Sequence, residues 1–358
     1  MKTLIVPCGG KSSRFKGMRP KYLLTYPDGE IMVKKAISGL NLNQFDRIIF
    51  TIVQEHCDKY EADLILQQAF CTQNNPKIEI CILPTFTSCQ SETVYETIVR
   101  MNVKENIVLK DSDNYIELND IPNCNFIVGL NVNKFEKEIF RLNSKSFLIV
   151  NDQNIITDII EKKIKSDCIC VGMYGFRSAS EFCDNYLKLT EQFDYAQSKE
   201  IYISHVISYM IGVSSSIFEY VDTIKFEDWG TLRDWQLVQY LKRTYFIDLD
   251  GVVLYNRGRY GSKNWDNDQV PIEDNISVIK QLFDEGAQIV ITTSRDMKYE
   301  EQIRDFFSSR GIDLHAIVTN CNHSARVLIN DFAPSNAYPS CEAISLPRNG
   351  TLKDYIKL

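Results

Sequence analysis

Histidine is scarce in this chain, four residues in 358, and the eleven cysteines include no Cys-x-x-Cys pair. A zinc cage is therefore disfavoured. Only Cys168 and Cys170 stand close together, and alternate residues of a strand point to opposite faces. An odd number of scattered thiols fits small buried apolar side chains in a reducing compartment better than a disulfide framework. Sixteen glycines and ten prolines are too few for a fibrous or low-complexity chain. No apolar run approaches the roughly 20 residues that a membrane-spanning helix needs. The opening, MKTLIVPCGGKSSRF, lacks the long apolar region and small-residue cleavage site of a signal peptide. Positive charge is not in excess either: the net charge is −7. A phosphate backbone calls for a basic surface, so nucleic acid is not an expected partner. The expectation is a cytoplasmic protein with no membrane partner.

What is present is a globular composition, 44% hydrophobic and 24% charged, in a length that suggests two domains. Short apolar β-branched runs alternate with helical patterns. TLIVPC, DRIIFTIV, KIEICIL and NIVLKD read as strands. Helices are read at IMVKKAISGL, from about His56, and at ETVYETIVRM. Strict alternation predicts a parallel sheet covered on both faces. After Asn123 strands dominate (NFIVGLNV, SFLIV, NIITDII, CICVGMYGF), which predicts a mixed extension of that sheet. A helix at KEIYISHVISYMI and the segment FEDWGTLRDWQLVQYLKR close this part. At Thr244 the alternation restarts: strands TYFIDLDGVVL, AQIVITTSR, LHAIVTN and RVLIND, with helices IEDNISVIKQLFDEG and EEQIRDFFSSRG. The fold class expected is α/β, in two Rossmann-like three-layer domains at 1–243 and 244–358. No linker-like stretch separates them.

Ligands of open parallel sheets sit beyond the carboxyl ends of the strands. The first strand runs into Pro7-Cys8-Gly9-Gly10-Lys11-Ser12-Ser13-Arg14, where glycines let backbone N–H groups approach a phosphate. Lys11 and Arg14 can neutralise its charge. The loop lacks the Gly-Lys-Ser/Thr ending of a Walker sequence. The fourth strand delivers Asp111 and Asp113 to the same edge, two carboxylates suited to a hard cation such as Mg²⁺. Histidines 56, 205, 315 and 323 are read as surface or satisfied polar groups, and Trp229 and Trp235 as packing residues.

Taken in order, these segments resemble the sugar-phosphate nucleotidyltransferases, and the resemblance runs along most of residues 1–240. Gly9-Gly10, Arg14 and Pro20-Lys21 look like the family's signature. The resemblance implies that Lys11, Arg14 and Lys21 act on the phosphates, and that Pro7, Gly9, Gly10, Ser91, Glu92 and Thr93 approach the nucleotide. It further implies Asp111, Asp113 and Asp228 as Mg²⁺ ligands, with Glu161, Lys162, Gly172 and Glu200 lining the acceptor site. The Lys110-Asp111 setting is typical of a bacterial surface-polysaccharide subgroup. The implied substrates are a nucleoside triphosphate and a sugar or polyol phosphate. Pro7-Cys8 and Ser12-Ser13 depart from the usual pattern and leave the base open, CTP being favoured and GTP not excluded.

Phe246-Ile247-Asp248-Leu249-Asp250-Gly251 resembles the haloacid-dehalogenase-like phosphatases, over about residues 244–358. That resemblance implies Asp248 as nucleophile, Asp250 as general acid and base, and Thr293 and Arg326 on the phosphate. Asp248, Asp250 and Asp331 would then hold Mg²⁺. Lys298 is a less well placed cation than Arg326, and Asn330 stands where a second acid is common. No large cap insertion is visible between Asp250 and Pro271, so the site is expected to be open. The leading expectation is a bifunctional enzyme. A transferase with an inactive second domain and a non-catalytic nucleotide sensor are the alternatives, and a homo-oligomer stays open.

Overall fold

A computed structural model describes residues 1–71, 76–134, 142–195, 198–223, 225–258, 265–266, 269–331 and 340–356. Two compact units emerge, Met1–Trp235 and Gln236–Leu358.

The first unit is built on a nine-stranded mixed sheet. In chain order its strands are β1 (Lys2–Pro7), β2 (Arg47–Val53), β3 (Lys77–Leu83), β4 (Asn106–Lys110), β6 (Phe126–Asn131), β7 (Ser146–Val150), β8 (Ile155–Glu161), β9 (Cys168–Phe176) and β10 (Phe218–Asp222). They lie in the order β3-β2-β1-β4-β9-β6-β10-β8-β7, and β7 pairs back onto β9. β3, β2, β1 and β4 run parallel; β9 is antiparallel to both β4 and β6. The chain thus winds outward from β1 to β3 and returns to β4 on the other side of β1. That reversal opens a crevice at the carboxyl ends of β1 and β4. Register reinforces it: Ile5 pairs with Leu109, so Pro7 and Asp111 leave the sheet at one edge.

The strands β1, β2, β4 and β9 are buried on both faces because most of their residues are apolar, while the edge strand β3 is partly exposed. Along β1, Leu4 and Val6 enter one core cluster and Ile5 the other, as a two-residue period requires. The helices α1 (Met32–Ile37), α2 (Gln54–Tyr60), α3 (Ala62–Ala69), α4 (Gln90–Arg100), α5 (Ala179–Gln192) and α6 (Ile203–Gly212) accompany it. Glu61, at φ +54°, breaks the single helix expected after His56 into α2 and α3. The α6 helix begins at Ile203, four residues later than the sequence pattern suggests. A small ribbon of β5 (Asn114–Glu117) and β11 (Lys225–Asp228) lies outside the main sheet, with Asp228 opposite Asn114.

The second unit holds three parallel strands in the order β12 (Thr244–Asp248), β13 (Gln288–Thr292) and β14 (Ala316–Val318). It also holds α8 (Glu273–Asp284) and α9 (Glu300–Ser308), and a core that includes Ile247, Ile279, Ile291 and Phe307. The unit boundary falls inside α7 (Leu232–Leu241). A fourth strand expected at RVLIND is not formed: Arg326–Asp331 is irregular, with Val327 80% and Ile329 90% exposed. A strand there requires a paired neighbour, and among the described residues β12 pairs with β13 alone. Parts of the stretch expected to be capless, 259–264 and 267–268, lie outside the described residues.

No described helix is long and apolar enough to cross a membrane. All eleven cysteines are free thiols. Only Cys8, Cys81, Cys89 and Cys170 are buried, fewer than the composition suggests, while Cys71 and Cys341 are exposed.

Candidate active site

A cavity of about 560 Å³ opens at the β1–β4 edge of the first unit. Its walls come from the loop after β1 (Pro7 to Phe15), from Lys21, from the turn before α4, and from Asp111, Ser112, Asp113, Glu200 and Gly230. Cys8 continues the β1 ladder through its N–H to the Thr51 carbonyl at 2.7 Å, and then the chain leaves the sheet. Ser12, at φ +48°, turns the loop, and its hydroxyl accepts the Lys21 N–H at 3.1 Å. That bond fixes where the Lys21 side chain starts. Gly9 lies beneath α4: a Cβ there would sit 3.4 Å from Thr93 Cγ2.

Three carboxylates are held by distinct groups. Asp111 Oδ1 accepts from Gln90 Nε2 at 2.6 Å, and its backbone N–H donates to the Gly172 carbonyl at 2.8 Å. Gly172 is at φ +82°, and a Cβ there would lie 2.2 Å from Asp111 Oδ2, so no other residue fits. Asp113 is paired with Lys21. Asp228 is paired with Lys145, and its Oδ1 accepts the Gly230 N–H at 3.0 Å. The Gly230 carbonyl in turn accepts from Arg14 Nη1 at 3.2 Å. A Cβ on Gly230 would touch Asp228 Oδ1 at 3.1 Å and Asp113 Oδ2 at 3.2 Å, which places both oxygens around one point.

The electrostatics follow from burial and pairing. Burial, helped by the charge of Asp113, pushes Asp111 up to about 6. Burial also works against the Asp113 anion, but the Lys21 ammonium outweighs it and holds the carboxyl below its ordinary value. Lys21 is raised by the same pair despite its desolvation. Lys110 is fully buried and is pushed down to about 8 by desolvation, against the pull of all three aspartates. Its three protons go to the carbonyls of Asp111 at 2.8 Å and Asn114 at 2.9 Å, and to Asn114 Oδ1.

Other expected residues take different places. Ser91 is buried and donates to the Ile201 carbonyl; Glu92 accepts from Ser88 N and Oγ, both at 2.6 Å. Ser91 thus ties α4 to the segment before α6, Glu92 organises the start of α4, and neither is a wall of the cavity. Thr93 lines it. Glu161, Lys162 and Gly172 also lie outside its walls. Glu161 Oε2 accepts from Ser204 Oγ at 2.6 Å and from Ser146 Oγ, and the Lys162 ammonium meets Tyr202 Oη and its ring. Trp229 is fully buried against Tyr26, 5.1 Å between centroids, in keeping with a packing role. Gln90 and Lys145 were not signalled by any motif.

All donors offered by Asp111, Asp113 and Asp228 are carboxylate oxygens, the chemistry that a hard cation such as Mg²⁺ takes. Among the described residues no group of three or more His, Cys, Asp or Glu side chains is drawn together tightly enough to hold a metal. Lysines occupy two of the three carboxylates.

In the second unit, Asp248 and Asp250 leave the end of β12 as expected. Asp248 is half exposed, with Arg326 Nη2 at 3.7 Å. Burial raises its carboxyl, opposed by Arg326. Asp250 is gripped by Arg295, which is 2% exposed, through Nε at 2.9 Å and Nη2 at 2.6 Å. The Thr293 hydroxyl, also buried, accepts the Arg295 N–H at 3.1 Å. Arg295 escaped the sequence reading although it stands two residues past Thr293. Asp331 is exposed in the irregular segment.

No family model matches this chain, and no curated protein matches it. Solved structures do. One is the nucleoside-diphosphate-sugar pyrophosphorylase of Vibrio cholerae RC9, at TM-score 0.55 and 17% identity, covering 66% of this chain and 98% of that one. The inositol-1-phosphate CTP transferase of T. maritima gives 0.51 and 13%, over 67% and 94%. A UDP-glucose pyrophosphorylase complexed with UDP-glucose gives 0.51 and 11%, over 66% and 97%. Over about two thirds of the chain the fold is the Rossmann-like nucleotidyltransferase fold. The share of this chain that is covered equals the first unit in length.

Proposed function

We propose that the first unit transfers a nucleotidyl group from a nucleoside triphosphate to a sugar or polyol phosphate and releases pyrophosphate. The observation that carries this reading is the meeting of a cationic glycine loop with Asp111 and Asp113 in one cavity at the β1–β4 edge. In this reaction an oxygen of the acceptor phosphate attacks the α-phosphorus in line and the bond to pyrophosphate breaks, so no side-chain nucleophile is required. The protein's task is positioning and charge neutralisation. Lys11, Arg14 and Lys21 neutralise the donor's phosphates, while the N–H groups of Gly9 and Gly10 lie within their reach. Glu161 and Lys162, although outside the cavity walls, are proposed to hold the acceptor together with Glu200, which lines it. A Mg²⁺ ion on Asp111, Asp113 and Asp228, once Lys21 and Lys145 give up two of these carboxylates, would neutralise phosphate charge further. CTP is the favoured donor, and the product is of the kind used to build surface polysaccharides. The test is a screen of four nucleoside triphosphates against a panel of sugar and polyol phosphates, scored by pyrophosphate release. Release with one pair, abolished in Asp111→Ala, is expected; no release from any pair would refute the reading.

The second unit is proposed to be a phosphatase acting on a metabolite of the same route. The placement of Asp248 and Asp250 at the end of β12, with the Arg326 guanidinium 3.7 Å from Asp248, favours it. Asp248 would attack phosphorus, the bond to the leaving oxygen would break, Asp250 would protonate that oxygen, and water would then cleave the aspartyl-phosphate.

A further inference from the structure

We propose that Lys145 is a phosphate-binding residue of the transfer site, parked on Asp228 in the free chain and released to the substrate's phosphates when another cation takes Asp228. The inference rests on the nucleotidyl-transfer reading above.

Three lysines face the three carboxylates, and they differ in how they are held. Lys110 is fixed, since each of its protons has a partner in the backbone or in Asn114. Lys145 has a hydrogen-bonded backbone, and its head is held by one ion pair and one ring face. Its N–H donates to the Leu142 carbonyl at 2.9 Å, and its carbonyl accepts from Lys162 N–H at 3.1 Å, which pins the start of β7 against the end of β8. Beyond that anchor, its ammonium meets Asp228 Oδ2 and the face of Phe226, 5.6 Å from the centroid. A long side chain on a fixed stem, held by one ion pair, can change partner without any backbone movement.

The neighbourhood decides what the new partner is. Asp228 is tied through Gly230 to Arg14, and the field of Lys145 also reaches Asp113. Arg14, Asp113 and Gly230 are walls of the cavity. The pair is mostly buried, with 17% of the Lys145 side chain and 22% of that of Asp228 exposed. A cation arriving at Asp228 would leave the ammonium unpaired in a poorly hydrated place, which is costly. A metal-bound triphosphate brings a net charge of about −2, and its oxygens are the partner that relieves that cost. Lys145 and Lys162 stand opposite each other across the β7–β8 edge, one directed to Asp228 and the other to Tyr202.

The test uses the full chain and two probes: Mn²⁺ alone, titrated by electron paramagnetic resonance, and inorganic pyrophosphate with Mg²⁺, by calorimetry. Lys145→Gln should bind Mn²⁺ about tenfold more tightly, because a competing cation is gone, and pyrophosphate at least about tenfold more weakly. Lys145→Arg keeps the charge, grips Asp228 with a fork, and should bind Mn²⁺ about threefold more weakly while holding pyrophosphate within about threefold. Weaker Mn²⁺ binding in Lys145→Gln would make the lysine a structural strut and overturn the proposal. Pyrophosphate affinity within about twofold of wild type would overturn it too. If Lys145→Gln does not fold, unchanged Mn²⁺ affinity in Lys145→Arg has the same force. A wild-type chain that binds neither probe sinks the transfer reading along with this one; binding that is indifferent to both variants sinks this one alone.

Discussion

Asp111 and Lys21 show how single residues set the behaviour of the site. Burial, and then the charge of Asp113, lifts the Asp111 carboxyl to about 6, while Lys110 and the Gln90 amide favour its anion. If the anion is the working form, pyrophosphate release should be full well above that value. It should fall as the pH drops through it, since the protonated form then dominates. Gln90→Ala removes a bond to the anion and should move the midpoint upward. Profiles of kcat/KM against pH for both proteins check this; a midpoint near the ordinary carboxylate value of about 4 would refute it. Lys21 differs in that its place is set by the Ser12 hydroxyl and its charge is engaged with Asp113. Lys21→Ala should lower kcat/KM by roughly ten- to a hundredfold, the loss of a charged hydrogen bond worth about 1.5–3 kcal/mol. An unchanged kcat/KM would mark it as a bystander.

Among the elements, those that the sequence announced are those whose signal is local. β1, β2 and β4 are mostly apolar runs bounded by turns, the pattern of a parallel sheet with both faces covered, while the edge strand β3 mixes Lys77 and Glu79 with its apolar residues. The glycine loop and Asp111-Ser112-Asp113 follow directly, because the carboxyl ends of parallel strands share an edge. Features that depend on distant pairing were not legible. Lys145 meets Asp228 across 83 positions of chain, and Gln90 meets Asp111 across 21. RVLIND looks like a strand by composition alone, yet strand pairing needs a partner and β12 does not supply one. The α5 helix was missed although its start is written in Ser178-Ala-Ser-Glu181, a capping sequence. Ser178 Oγ accepts the Glu181 N–H at 3.1 Å. Ser178→Ala should therefore cost about 1 kcal/mol of stability. Chemical denaturation reads this as a lower midpoint at unchanged slope; an unchanged midpoint would show that packing of Phe182 and Tyr186 alone holds the helix.

At the scale of the whole molecule, the two units carry separate sheets and separate sets of carboxylates, and the proposed activities should separate with them. Asp111 and Asp228 belong to the first unit; Asp248 ends β12 in the second and faces Arg326. Asp248→Asn keeps the size of the side chain but replaces the oxygen that must attack phosphorus with an amide. It also leaves Arg326 without its anionic partner, an exposed interaction of small worth, so the fold should stand. Phosphatase turnover with Mg²⁺ should vanish, because the covalent step has no other nucleophile. Pyrophosphate release should stay within about twofold of wild type, since sites that share no partners respond independently. Both assays on one purified variant decide the matter. Loss of both activities in a folded protein would mean that Asp248 serves the transfer reaction as well. A wild-type chain that hydrolyses no sugar phosphate or bisphosphate would instead leave the Arg295–Asp250 fork as a structural brace in an inactive unit, and the transferase would stand alone.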